Sequence, residues 1–250
     1  MTNEKTQQYY SKLQEILQFH IQNELLRASM LAFIEVNKSR LVLAPASGAV
    51  SKHHAEPGGL LQHIVEVATL GVTYLQDMIS FEPQINNKQL FEDLAVSSAL
   101  HDIHKIGDPF GRTYYEPNMI KASRKKDETM LKQSEAKPYV HTDTTYHCGP
   151  YLRGYDLTVF AVAELLDRNL KRIPEGELSL FFVQATTPGL FTLLNDSVRF
   201  SIRYHDGAYG TSMYELAGKE TPVMLALHFA DMVSSRRSRW VSAGAEVADE

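Results

Sequence analysis

The sequence predicts an all-α fold. Hydrophobic side chains recur at helical spacing along the chain, strict period-two alternation is almost absent, and Gly/Pro-marked loops separate the periodic stretches. Leu13, Ile16 and Leu17 give a helix over 6–22 its apolar face, and Leu25, Leu26, Met30 and Phe33 do the same over 24–37. These helices are expected to pack on the main body as an N-terminal unit, residues 1–44. The prolines and glycines of 45–59 predict a loop, followed by a long helix over 59–80. A helix over 87–106 turns Leu90, Leu94, Ala99, Leu100 and Ile103 inward and is stopped by Gly107-Asp108-Pro109.

Residues 110–155 are polar and rich in Tyr, Lys, Thr and Pro, and they exceed the usual length of a connection. The segment reads as an insertion that is either a functional lid or a small hairpin. Helices resume over 156–170, with Asp156 as N-cap, then over 177–186, 196–204 and 221–237. The last opens on Thr221-Pro222, the favoured order of cap and first helical residue. The main domain is thus expected over 45–240, with a flexible tail over 241–250.

Composition narrows the function classes. With 250 residues, 44% hydrophobic and 22% charged, the chain can bury a sizeable core without staples. Cys148 has no second cysteine to pair with, and the first residues lack the apolar stretch of a signal peptide, so a cytoplasmic setting is expected. No apolar run reaches the ~18 residues that cross a bilayer, so no membrane association is expected. A net charge of −5 argues against stable binding to duplex nucleic acid. The basic clusters Lys121, Arg124, Lys125, Lys126 and Arg236, Arg237, Arg239 read as solvated surface. Homo-oligomerisation is left open.

Among ten histidines, those on apolar helical stripes matter most. His63 lies one turn from Leu60 and Val67, which turns it toward the core. His101 and Asp102 are adjacent, which offers an imidazole and a carboxylate to one ion beside the helix. Asp231 follows Leu227 by four residues, on or near the buried face, where a carboxylate is costly unless paired or bound to a metal. Taken singly, each has an ordinary reading as a core histidine or a capping carboxylate.

Together, His63, the His101-Asp102 pair and the distant Asp231 resemble the ordered motif of the HD-domain metal phosphohydrolases. His101-Asp102-Ile103-His104-Lys105-Ile106-Gly107 is similar to that family's His-Asp-Ile-Gly-Lys signature, with His104 in place of the glycine. Tyr204-His205-Asp206-Gly207 resembles its later His-Asp-Gly element. The segments His53-His54 with Gly58-Gly59-Leu60-Leu61-Gln62-His63, and Leu227-His228-Phe229-Ala230-Asp231, are similar to HD-type 3′-to-5′ exoribonucleases and nucleotidases.

The resemblance implies an HD helical bundle with His63, His101, Asp102 and Asp231 as metal ligands. Imidazoles with carboxylates suit Mn, Fe, Co, Ni or Zn, with Mg as a further option. A second ion would draw on His205 and on His147, with His141 as a competing choice. Lys105 is placed to meet a phosphate oxygen, and Asp206 to act as acid, base or orienter. His53, His54 and Arg112 are candidate contacts to base, sugar or phosphate. His20 and Cys148 have no supporting context, and His228 is expected to bond locally.

No Gly-x-Gly-x-x-Gly, Walker or nucleophile-elbow signature competes. The expected activity is release of phosphate from nucleoside monophosphates by a 5′-(deoxy)nucleotidase. The alternatives are a 3′-to-5′ exonuclease, a di-iron oxygenase of the same fold, and a nucleotide-binding module without turnover.

Overall fold

The structure is a computed structural model that describes residues 3–109, 111–121, 131–141, 174–207 and 218–247. Nine α-helices occur among the described residues, and the predicted helical class holds. Helix α1 (Asn3–His20) buries Tyr10, Leu13, Ile16 and Leu17 along one stripe. Helix α2 (Glu24–Val36) starts at Asn23, whose side chain accepts from the N–H groups of Leu25 and Leu26. One further turn, α3 (Lys38–Leu41), leads into the loop.

Helix α4 (Gly59–Phe81) runs through the centre and carries His63 on its buried face. Helix α5 (Lys88–Leu100) is capped by Asn87 and is buried at every position from Glu92 to Leu100, as befits the middle of a bundle. Its Glu92 accepts from the backbone N–H groups of Gln22 and Asn23 at 2.6 and 2.9 Å, which ties the α1–α2 corner to the core. One hydrophobic cluster joins α1, α2, α4 and α5 with the later helices. The N-terminal helices therefore share the main core.

The helix predicted over 87–106 breaks earlier. It ends at Leu100, Asp102 leaves helical geometry at φ −113° and ψ 11°, and Ile103–Ile106 form a 3₁₀ turn. His101 keeps helical geometry, with its N–H on the carbonyl of Ser97, so the break falls between the two members of the pair and takes only Asp102 out of the helical register.

Of the two readings of the insertion, the described part follows the hairpin. Strand β1 (Tyr115–Pro117) pairs antiparallel with β4 (Tyr139–His141), and inside them β2 (Met119–Lys121) pairs with β3 (Leu131–Gln133). Asn118 bridges the two pairs, its N–H donating to the carbonyl of Pro138 and its carbonyl accepting from Ser134. The helix predicted over 156–170 lies outside the described residues.

Helices α6 (Glu175–Thr186), α7 (Pro188–Leu193) and α8 (Asp196–Arg203) follow, and Asn195 caps α8 while also donating to Asp93. Helix α9 (Pro222–Val247) begins as predicted, with Thr221 Oγ1 accepting from the N–H of Met224, and continues past 237 into the residues expected as a tail. Val223, Ala226, Leu227 and Ala230 of α9 pack with Val67 and Leu75 of α4 and Leu94 of α5. That packing carries Asp231 to His63. No described helix is long and apolar enough to cross a membrane.

Candidate metal centre

Three imidazoles meet where α4, the end of α5 and the end of α8 converge. His63, His101 and His205 are all buried, and their ring centroids lie 5.2 Å (63 to 101) and 5.0 Å (101 to 205) apart. In each ring the Nδ1 side is occupied. His101 Nδ1 donates to the carbonyl of Ser98 at 2.9 Å, and His205 Nδ1 to that of Ile202 at 2.7 Å. His63 Nδ1 contacts Ser234 Oγ at 3.0 Å, and the single hydroxyl proton of Ser234 goes to Glu66 at 2.9 Å. Ser234 therefore accepts, and His63 Nδ1 must carry the proton. In its neutral form each of the three rings then presents a bare Nε2.

The neighbours of those lone pairs are acceptors as well. His63 Nε2 lies 3.1 Å from Asp231 Oδ1, 3.2 Å from His101 Nε2 and 3.5 Å from Asp102 Oδ2. Asp102 Oδ1 is buried with no hydrogen-bond partner among the described residues, 3.7 Å from His205 Nε2. Acceptors packed this closely repel unless a proton or a cation sits among them. Metal bonds of roughly 2.1 Å place neighbouring ligand atoms about 3.0 to 3.4 Å apart, which matches His63 to Asp231 and His63 to His101, while the Asp102 contacts at 3.5 and 3.7 Å are slightly wider. His63, His101 and Asp231 form one group able to hold a metal ion, and His205, Asp206 and Asp231 form another. The residues present fit a cation.

Electrostatics agree. Burial alone would lower His63, but its contacts with Asp102 and Asp231 outweigh burial and raise its pKa to about 9. A proton thus fills the cation's place in the metal-free chain. His101, with less carboxylate support, is pushed by burial to about 4 and stays neutral. Burial would raise Asp102, yet Lys105 and the surrounding imidazoles hold it well below its ordinary value. Burial keeps Asp206 above its ordinary value, with Glu175, Asp102 and Asp231 reinforcing the shift against His205.

Beside this cluster opens a polar cavity of about 200 Å³, lined by Asp102, Asp206, Asp231, Glu175, Lys105 and Lys52, with His53, His205 and Tyr115 also on its wall. Lys105 Nζ bridges Asp102 at 2.6 Å and Glu175 at 3.2 Å, so it is a fixed charge in the wall. His53 packs at a tilt against His63, centroids 4.7 Å apart, and its buried Nε2 has no hydrogen-bond partner among the described residues.

The remaining expectations divide. His54 lies outside this cavity: its backbone is left-handed at φ 44°, and its Nε2 meets Glu66 at 3.0 Å, behind His63. Arg112 is not brought to the cavity. Its guanidinium and its backbone N–H both bind Asp108 in the turn after the 3₁₀ segment, because Gly107 folds the chain back there. His147 lies outside the described residues, as does the side chain of His141. His228, expected to bond locally, instead reaches across the fold, donating from Nδ1 to the carbonyl of His205, 23 positions earlier, at 2.7 Å. A Cβ on Gly207, at φ 58°, would sit 2.6 Å from the His228 ring, so only glycine lets this brace close under the His205-Asp206 turn. His104 is buried and donates through Nδ1 to Ser179 Oγ at 2.7 Å, while Ser179 donates to the carbonyl of His101 at 2.6 Å.

Sequence reasoning missed Ser234, Glu66, Glu175, Lys52 and Tyr115. Two had a legible signal: Glu66 follows His63 by three residues and Ser234 follows Asp231 by three, which puts each on its ligand's helical face. Glu175 stands at the start of a helix predicted two residues late.

No protein-family model matches the chain, and no curated protein or solved structure does either.

Proposed function

We propose that this protein is a metal-dependent phosphohydrolase of the HD kind that releases phosphate from nucleoside monophosphates. One observation carries the reading: three imidazole Nε2 atoms and two aspartate carboxylates converge beside a small polar cavity, with Asp102 Oδ1 buried and unpartnered among the described residues. His63, His101, Asp102 and Asp231 would hold the ion, and His205 with Asp206 could complete a second position. A divalent ion of the Mn, Fe, Co, Ni or Zn type, or Mg, supplies an acidified water and neutralises phosphoryl charge when bound.

The chain's own residues account for the rest. Four acidic side chains and two lysines line the cavity, and Lys105 is already engaged by two of the acids, so a phosphate gains little until further cationic charge is added. Lys105, fixed by Asp102 and Glu175, presents an ammonium that cannot swing away. Lys52 lines the same wall. As the bond from water oxygen to phosphorus forms and the ester bond breaks, the leaving oxygen needs a proton. In the one-ion site, Asp206, which lines the cavity and whose pKa burial raises above its ordinary value, is the group assigned to donate it.

The test is metal analysis of the purified chain, then phosphate release across nucleoside monophosphates. Asp102→Ala is expected to lose the metal and the activity while retaining its helical circular dichroism. Full activity in that variant refutes the proposal. An oligonucleotide shortened while mononucleotides stay intact would replace it by the exonuclease reading.

A further inference from the structure

A second cleft of about 490 Å³ lies next to the polar cavity. Val50, Ala55, Pro57, Pro138 and Tyr139 give it an apolar lining, and Lys52 lines both spaces. The two are also joined through the β1·β4 pair. Tyr115 of β1 faces the polar cavity and Tyr139 of β4 lines the cleft, with ring centroids 6.4 Å apart.

The cleft is built rather than incidental. Tyr139 N–H donates to the carbonyl of Gly48 at 3.2 Å, and Val50 N–H to that of Ala136 at 3.0 Å, so the ribbon is stitched to the 45–57 loop. A Cβ on Gly48 would lie 2.7 Å from the carbonyl oxygen of Tyr139, so glycine is what allows the approach. His54, also in the lining, is anchored to Glu66 at 3.0 Å, which fixes the loop against the helix that carries His63.

Size separates the roles of the two spaces. The polar cavity, about 200 Å³, suits a phosphoryl group with its water and falls below the roughly 300 to 1,000 Å³ of sites that enclose a whole small molecule. A nucleotide seated by its phosphate must place the remainder elsewhere. The neighbouring cleft offers volume, apolar walls and an aromatic face, with Gln133 and Glu56 as polar groups at its edge.

We infer that the cleft between the 45–57 loop and the β-ribbon receives the planar base of the nucleotide, stacked against Tyr139, while the phosphate occupies the metal centre. This rests on the phosphate-ester reading of that centre, but it can be tested without turnover.

The experiment is equilibrium binding of adenosine, guanosine, cytidine and thymidine to the metal-loaded full chain, with ribose as control. At least one nucleoside is expected to saturate, and ribose is expected not to. Loss of a stacking partner should weaken that nucleoside about tenfold in Tyr139→Ala, while Tyr139→Phe stays within about twofold. Val50→Asp, which keeps the tyrosine and puts a carboxylate in the lining, should weaken it as well. Failure of every nucleoside to bind, or unchanged affinity in both Tyr139→Ala and Val50→Asp, overturns the inference. Tyr139-dependent binding in a chain that hydrolyses no phosphate ester would uphold the cleft and refute the hydrolase. Phosphate release from nucleotides without nucleoside binding would do the reverse.

Discussion

Replacing Ser234 with alanine separates metal binding from everything else in the site, because Ser234 touches no ion and reaches the centre only through His63. In the parent chain His63 Nδ1–H donates to Ser234 Oγ at 3.0 Å, and Ser234 passes its own proton to Glu66 at 2.9 Å. Glu66 is secured from two further sides, by Gln62 at 2.8 Å and His54 at 3.0 Å, so it stays in place when the hydroxyl is removed. What changes is His63. Its ring is fully buried, and Nδ1–H loses its acceptor, which costs about 1 to 3 kcal/mol. The ring can avoid that cost by moving the proton to Nε2, where Asp231 waits at 3.1 Å, but Nε2 is then no longer a ligand. Because the metal-free ring can make that move and the metal-bound ring cannot, the penalty falls on the metal-bound state. At about 1.4 kcal/mol per tenfold, affinity should fall between roughly 5-fold and 150-fold, and the roughly 10- to 100-fold effect of outer-shell partners on metal sites falls within that range. Competition against a chelating indicator measures it, with helical circular dichroism as the check on folding. A Ser234→Ala chain that binds metal within about twofold of the parent refutes the relay.

Two more predictions rest on the same geometry. His63 has its folded pKa raised from 6.5 to about 9, so its contribution to the metal-free chain is complete below pH 6.5 and vanishes as pH rises through 9. Stability of the chelator-treated chain should therefore drop by something on the order of 3 kcal/mol across that window, while the metal-loaded chain stays flat; thermal melts at stepped pH would show a flat or rising metal-free curve if the account is wrong. Arg112→Ala should leave phosphate release within about twofold and lower stability by about 0 to 1 kcal/mol, since its half-exposed guanidinium serves Asp108 rather than substrate. A large loss of turnover without a matching loss of stability would return Arg112 to the site.

Much of the bundle was legible because helices that bury one stripe announce themselves locally. Leu13, Ile16 and Leu17, or Leu26, Met30 and Phe33, need no tertiary information to be placed inward. The break at Asp102 was not legible. Leu100 and Ile103 keep helical spacing across it, and nothing local signals that the chain changes to a 3₁₀ turn. The short strands were hidden for the opposite reason: three residues are too few to show alternation, and their pairing spans a segment of ordinary polar composition. In the site, the residues whose chemistry is rare on an apolar face stood out, namely His63, His101, Asp102 and Asp231. Ser234 and Glu66 did not, because serine and glutamate are common helix residues and acquire meaning only when α9 lies against α4. Arg112 shows the converse error. A charged loop residue close in sequence to the pair at 101 and 102 was read as facing the cavity, when Asp108, closer still, had claimed it.

The donors converge from distant parts of the chain, and His63 and the serine behind it stand 171 positions apart. An ion held there is a clasp on a very long loop, and cross-links of that reach restrict the unfolded ensemble most. Timing during synthesis follows from the same spacing. Until α9 has been made, the pocket lacks the wall that α9 brings. A chain cut or stalled before that helix would lack both Asp231 and the serine that orients His63.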